Sequence, residues 1–521
     1  MLDEKSIQKR AVVAILLAFI FFLGYDHFYL SKFRDTNQTI QTNKAPSVEA
    51  SQTKPIIEDR LKERSNITIA NVKSDIFDLK IDEFGRISSF MLKENIYKNE
   101  DGEFTNLIDP TLNLMPLEIR FSDPKLNDLA FKTKYEASVD ELDVTSKPKT
   151  ITLTQNLGEL TITKIIKFYP TGNYELDVKL SKPVSYFITP GARSNVAVDG
   201  YTVHGVLLRD FNDKSLEIIE DSDLKNETKR YHNVDIASAF DRYYATLFYN
   251  FEKPFNVVLT SQNKTINQTF IEANGDFKIY GYIGPKNHKI LNDINKELID
   301  IIEYGWFTFI AKPIFWLLSA IYNYVGNWGW AIVLLTILIK IILAYPTYKG
   351  MVSMNRLKDL APKMKEIQQK YKDDKAKMQI HIMELYKKHG ANPMGGCLPI
   401  LMQIPIFFAM YRVLLNAIEL QGAAWILWID NLAIKDPYFI LPAIMGLSMF
   451  IQQKITPTTF ADPMQEKIMK FLPLIFVFFF VTFPAGLTLY WCVNNIISVI
   501  QQYIVNRIFK SKKALNEGNK Q

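Results

Sequence analysis

WGWAIVLLTILIKIILAY, Trp328–Tyr345, is about long enough to cross a bilayer, and one of its residues is unsuited to hydrocarbon. Lys340 lies well inside the run, between Ile339 and Ile341. A charge at the bilayer centre costs about 2.5–3.5 kcal/mol on insertion scales. Two arrangements offset that cost. Lys340 is nearer one end, so its aliphatic stem can snorkel to the headgroups. Alternatively it faces a watery cavity that needs a cation inside the membrane. Thr336, one helical turn earlier, shares its face. The stretch alone does not choose between the two.

Working outward, charge sets the direction of the crossing. Lys349 to Lys388 carries eleven Lys/Arg and belongs in the cytoplasm under the positive-inside rule. Residues 1–10 hold Lys5, Lys9 and Arg10, and Ala11–Leu23 is apolar. A signal peptide begins in the same way, but no small-x-small cleavage site follows. The aromatic cluster Tyr25, Phe28 and Tyr29 suits an interface belt. Residues 1–30 are therefore expected to form an uncleaved anchor with a cytoplasmic N-terminus. Everything from there to residue 325 then lies outside. Leu291, Ile294, Leu298, Ile301 and Ile302 follow helical spacing, and Trp306–Val325 is apolar and aromatic. A crossing at 306–325 would put the basic segment outside, so 291–325 is expected to be an amphipathic helix along the outer interface.

Beyond Tyr345, residues 348–392 read as a cytoplasmic helical hairpin with its turn at Tyr371–Asp374. Met351, Met354, Leu357, Leu360 and Met364 recur at helical spacing, then Ile380, Met383 and Tyr386. They suit the hairpin core, and the methionines also suit an adaptable apolar surface. Four further apolar segments follow, at Cys397–Ala417, Tyr438–Gln453, Ile468–Phe483 and Gly486–Tyr503. The loop 419–437 is acidic, the loop 454–470 has three lysines, and the tail 511–521 follows Arg507 and Lys510 with Lys512 and Lys513. Each sign fits one scheme of six spans with both termini cytoplasmic.

Residues 31–60 are polar, without periodicity, and read as a flexible linker. From 61 to 290 the period is two. Tyr174, Leu176, Val178 and Leu180 alternate with polar residues, as do Ile151 with Leu153 and Leu160 with Ile162. Turn signals lie at Asn156–Gly158 and Pro170–Asn173, and Asp241–Phe248 is a further strand candidate. The fold class is thus a polytopic α-helical membrane protein with a five-span core, 326–510, carrying a large extracytoplasmic antiparallel β-sandwich domain.

Composition agrees. The chain has 521 residues, 48% hydrophobic and 13% aromatic, yet its mean hydropathy is near zero. A membrane half averaged with a polar half gives this. The two cysteines, Cys397 and Cys492, lie in apolar segments, so the exported region has no disulfide framework. There is no zinc-like Cys/His spacing, no P-loop, no Gly-rich dinucleotide turn and no nucleophile–base arrangement. Neither a cofactor, a metal nor enzymatic chemistry is expected. Gln403, Gln452, Gln453, Asn494 and Asn495 fall in or at the ends of spans. Amides there often bond a neighbouring helix, or with Thr336 and Lys340 they line one polar cavity. The spans hold no deep carboxylate and show no internal repeat, which weakens the alternative of a secondary transporter or channel for a small solute.

Five segments carry a resemblance: GNWGWAIVLLTILIK (326–340), NPMGGCLPILMQIPIFFAMY (392–411), LWIDNLAIKDPYFILPAIMGLSMF (427–450), KITPTTFADPMQEKIM (454–469) and FPAGLTLYWCVNN (483–495). Together they resemble the YidC family of membrane protein insertases, and the layout is similar to its Gram-negative members. The resemblance implies a membrane insertase and chaperone of the bacterial inner membrane, with the large domain in the periplasm. It implies nascent membrane proteins as partners, and the lipid bilayer, with or without the Sec translocon. It implies a hydrophilic groove open to the cytoplasm and lipid but closed outside, with Lys340 as the cation that attracts acidic substrate segments. The family usually has Arg there, so Lys340 is a departure. By motif position Gln403, Gln453 and Trp491 are further groove residues, and Tyr490 and Trp491 meet the substrate helix near Thr336. The hairpin resembles the family's element that receives nascent chains, and the basic tail would favour ribosome docking by attraction to RNA.

Overall fold

The computed structural model describes Pro55 and residues 67–518, apart from 99–101, 110, 112–113, 199–201, 222, 225–226, 263–265, 373, 390–397 and 457–462. The expected anchor, nearly all of the linker and the motif residues 392–397 lie outside the described residues. Contacts divide the chain into two compact units, parted between Ile302 and Glu303.

The first unit is built on alternation. Thr161–Phe168 buries Ile162, Lys164, Ile166 and Phe168 and leaves the residues between them half-exposed. It pairs antiparallel with Lys149–Asn156 and with Asn173–Leu180, through turns at the positions the sequence predicts. Gly172 closes the second turn at φ 87, and a Cβ there would meet the Ile283 carbonyl oxygen at 2.6 Å. Only glycine fits both constraints.

Among the described residues the strands form a sheet of four and a sheet of thirteen. The small sheet runs Ile87–Leu92, Phe77–Asp82, Thr68–Lys73, Glu141–Asp143. Its last pair is parallel, which corrects the expectation of a wholly antiparallel domain. The chain makes a long excursion through residues 74–140, including α1 (Pro124–Lys132), and returns to the sheet edge in the same direction, as parallel pairing needs. In the large sheet the thirteen-residue strand Thr228–Phe240 has a register shift between Tyr231 and Val234, with Asn233 at φ 63. Its first part pairs with Phe255–Gln262. Its second part lies between Gly205–Asp210 and Tyr244–Tyr249. A bulge there bends the strand and lets it serve different neighbours on either side. The predicted strand at Asp241–Phe248 begins only at Tyr244. Asp241 instead makes a turn, its Oδ1 accepting from the backbone N–H groups of Tyr243 and Tyr244.

The helical spacing at 291–302 is also interrupted. α2 (His288–Ile294) stops at Asn295, which is extended and caps a short 3-10 helix, Lys296–Ile301. An Asn side chain that bonds the backbone locally favours such a break. That short helix is fastened to the sheets through the buried Arg209. Its guanidinium donates to Asp235 twice at 2.8 Å, to Glu297 at 2.6 Å and to Asp300 at 2.8 Å.

The second unit is helical: α3 (Thr308–Val325), α4 (Trp328–Ile342), α5 (Ala344–Lys370), α6 (Lys375–Lys388), α7 (Leu398–Asn416), α8 (Ile440–Ile455), α9 (Pro463–Phe480) and α10 (Ala485–Gly518). The opening stretch is not one straight span. α4 ends at Ile342 and α5 leaves it at 64°. Pro346 explains the break, because it cannot donate to the Ile342 carbonyl four residues earlier and its ring crowds that oxygen. α5 and α6 follow one another, the Asp374 N–H donating to the Tyr371 carbonyl at 3.1 Å between them and Asp374 capping α6. Tyr386 donates to the Met364 sulfur at 2.9 Å, and Met351 and Leu360 are buried. Ile380 and Met383, expected in the hairpin core, stay exposed.

Two ends of this unit can be told apart. At one, the Asn327 amide donates to the Ala424 carbonyl at 3.0 Å, and the backbone N–H groups of Ala485 and Gly486 donate to Ile434 and Leu432. There too Asn416 donates to the Glu303 carbonyl at 2.8 Å and Arg412 pairs with Glu303 at 3.6 Å. At the other, Asn506 of α10 reaches the Ile455 carbonyl and receives from Asn355. α4, α7, α8, α9 and α10 run between these ends. Gly305–Val325 is long and apolar enough to cross a membrane, yet α3 starts beside Glu303 and finishes beside Asn327, both at the first end.

Candidate functional site

Hydrophobicity alone would leave α4 featureless. Its Ile337, Ile341 and Ile342 face outward, while Thr336 and Lys340 are buried on the other face. Lys340 is turned into the bundle, towards α10. Its Nζ donates to Ser498 Oγ of α10 at 2.7 Å, and Lys340 is 7% exposed. Ser498 in turn donates to the Asn494 carbonyl at 2.8 Å, one turn back on the same helix. The Asn494 side-chain oxygen accepts from Gln403 Nε2 of α7 at 2.6 Å. A polar chain therefore joins α4, α10 and α7 through the middle of the bundle.

The other expected residues take different places. Thr336 is buried and returns its hydroxyl to its own helix, donating to the Ile332 carbonyl at 2.7 Å. Tyr490 is fully buried. Trp491 packs among aromatic rings, with centroids 4.6 Å from Phe407, 5.4 Å from Phe480 and 5.7 Å from Phe476. Its indole N–H is buried with no hydrogen-bond partner among the described residues. This aromatic layer lies between the polar chain and the first end of the unit, since Phe480 also packs on Phe483 in the turn before α10. Gln453 is half-buried in the last turn of α8.

Sequence reasoning named Asn494 but missed Ser498, Gln502 and Asn506, which follow it at spacings of four along α10 and form one polar stripe with it. Gln502 Nε2 and Asn355 Nδ2 both donate to Asn506 Oδ1, at 2.8 and 2.9 Å. The four-residue spacing was readable, but a serine in a membrane helix attracts no attention until its partner is known. Arg412 was hidden in the same way, as a cation near the end of an apolar run.

Two families match the chain by sequence: the 60Kd inner membrane protein family over residues 320–513 and the YidC periplasmic domain family over 240–317. The membrane protein insertase YidC of Campylobacter jejuni is 52% identical over 512 residues, covering 96% of both chains. That of Wolinella succinogenes is 47% identical over 98% of this chain and 97% of its own. The chain belongs to the YidC family. A Helicobacter pylori YidC, 44% identical, covers both chains completely. The YidC periplasmic-domain match takes in Glu297 and Asp300 and runs into α3. The inner-membrane-protein match holds every residue of the polar chain described above.

Proposed function

We propose that this YidC-family chain inserts other proteins into the bacterial inner membrane, and that the face shared by α4, α7 and α10 is where substrates engage. The observation that carries the reading is the buried ammonium of Lys340, hydrogen-bonded into a chain of neutral polar groups. α4, α7 and α8 contain no Asp or Glu, and α10 has none before Glu517. The Lys340 charge is thus held by a neutral hydroxyl and stays available to an acidic visitor.

The mechanism follows from costs. Moving a polar segment across about 30 Å of hydrocarbon is prohibitive. Polar side chains inside the bundle shorten that dry path, and a cation in reduced dielectric favours passing carboxylates. The aromatic layer around Trp491 closes the outer side. The substrate's own apolar span then leaves between helices into lipid. The large β domain lies in the periplasm, the α5–α6 hairpin and basic tail in the cytoplasm, and α3 along the outer interface. Exposed Ile380 and Met383 on the hairpin offer an apolar landing site for nascent chains. The cations after Arg507 attract ribosomal RNA, and the Sec translocon is a further partner.

Purified protein in vesicles tests this. Insertion of a small single-span substrate supports the reading, with Lys340→Arg active and Lys340→Ala failing on substrates whose translocated segment is acidic. Solute flux without insertion would replace it with the transporter reading.

A further inference from the structure

The polar chain holds one residue whose role the groove reading leaves open. Lys340 reaches α10 on a flexible four-carbon stem and presents a point charge rather than a planar fork, so its position depends on what accepts from it. The acceptor is Ser498 Oγ at 2.7 Å. Both residues are buried, Ser498 at 6% exposure. The serine's own proton is committed to the Asn494 carbonyl, which leaves its lone pairs facing the ammonium. Asn494 is the residue that Gln403 bonds. Hence the ammonium sits one helical turn from the α7 contact.

Resting on the insertase reading, we propose that Ser498 is a positioning residue that also sets substrate selectivity. Its hydroxyl parks the Lys340 ammonium against α10 without neutralising it and gives it up to an incoming carboxylate. A carboxylate at 498 would satisfy the cation permanently. An apolar residue would leave the stem unanchored.

The test uses the full chain in vesicles, with two single-span substrates that differ only in acidic residues of the translocated segment. Thr and Val have the same shape and differ by the hydroxyl, so they separate positioning from packing. Ser498→Thr should match wild type on both substrates. Ser498→Val should lose up to about ten-fold in insertion of the acidic substrate, the cost of ordering an unanchored long side chain at each encounter, and keep the neutral one. Ser498→Asp should fail on the acidic substrate as Lys340→Ala does. The exchange Lys340→Ser with Ser498→Lys should restore acidic insertion relative to Lys340→Ser alone. Equal behaviour of Thr and Val, or equal loss of both substrates in Val, would overturn the proposal. If Lys340→Ala inserts acidic substrates normally, the groove reading itself fails. If Lys340→Ala loses them while Val matches Thr, only the role of Ser498 fails.

Discussion

Lys164 shows what alternation does with a residue that would otherwise stay outside. The period of two along Thr161–Phe168 turns it into the β domain, fully buried, where its ammonium donates to the carbonyls of Gly85 at 2.9 Å and Leu117 at 2.8 Å. It also lies 4.5 Å from the centre of the Tyr135 ring. Burial pushes this lysine down to about 7, against the pull of Asp82 and Glu118. The native state then binds fewer protons than the unfolded chain between about pH 7 and the ordinary value of 10.5. Stability should rise with pH through that window and be flat below it, where both states are protonated. Lys164→Met removes the titrating group. Its thermal midpoint, followed from about pH 6 to about pH 9, should lack the rise that wild type shows; parallel curves would refute the assignment. Lys340 was legible as an anomaly, whereas Lys164 was not singled out. The partners of neither were legible, because Gly85 and Ser498 lie 79 and 158 residues away in sequence, and only the fold brings such distant groups together.

Among elements, the hairpins and helices were readable wherever local chemistry decided them. The turns at 157–160 and 169–172 and the break at 371–374 are set by residues inside them. The end of α4 was readable in principle from Pro346, but hydropathy ran through it to Tyr345. The start of α4 depends on the loop that carries Ala424 and Trp425. Asn327 caps it by accepting from the Trp330 N–H, and Gly329 lets Trp425 lie against the helix. A Cβ on Gly329 would meet Trp425 Cδ1 at 2.2 Å and Cγ at 2.3 Å. An indole ring packed 5.7 Å from Trp330 cannot swing away as a flexible chain end would. Gly329→Ala should therefore destabilise the helical unit by about 1–3 kcal/mol, the usual effect of overpacking. A lowered thermal midpoint in detergent, with changed tryptophan emission, would show it. An unchanged midpoint would mean that the loop carrying Trp425 yields freely. The parallel pair at Asn71–Lys73 had no local signal at all, since its partner arrives after a long excursion.

For the whole molecule, the expected arrangement makes a simple demand. Cysteines placed at the exposed positions Thr171 and Gln369, in a chain lacking Cys397 and Cys492, should react with an impermeant reagent from opposite sides of the membrane. Labelling from one side would break the scheme. Removing residues 67–280 should leave insertion largely intact, because the polar chain and α3 belong wholly to the second unit. Loss of insertion by a truncated protein still present in the membrane would move the function into the β domain. One feature of that second unit reaches beyond either test. α10 runs for 34 residues from Ala485 to Gly518, about 50 Å at 1.5 Å per residue, with no proline or internal glycine after Gly486 to act as a joint. It carries Ser498 in its middle, while Lys513 near its far end is clasped to Asp359 of α5 at 2.9 Å. Such a helix is a lever arm. A load hung on the tail arrives as torque at the lysine's anchor, which gives the molecule a mechanical handle on its own charge.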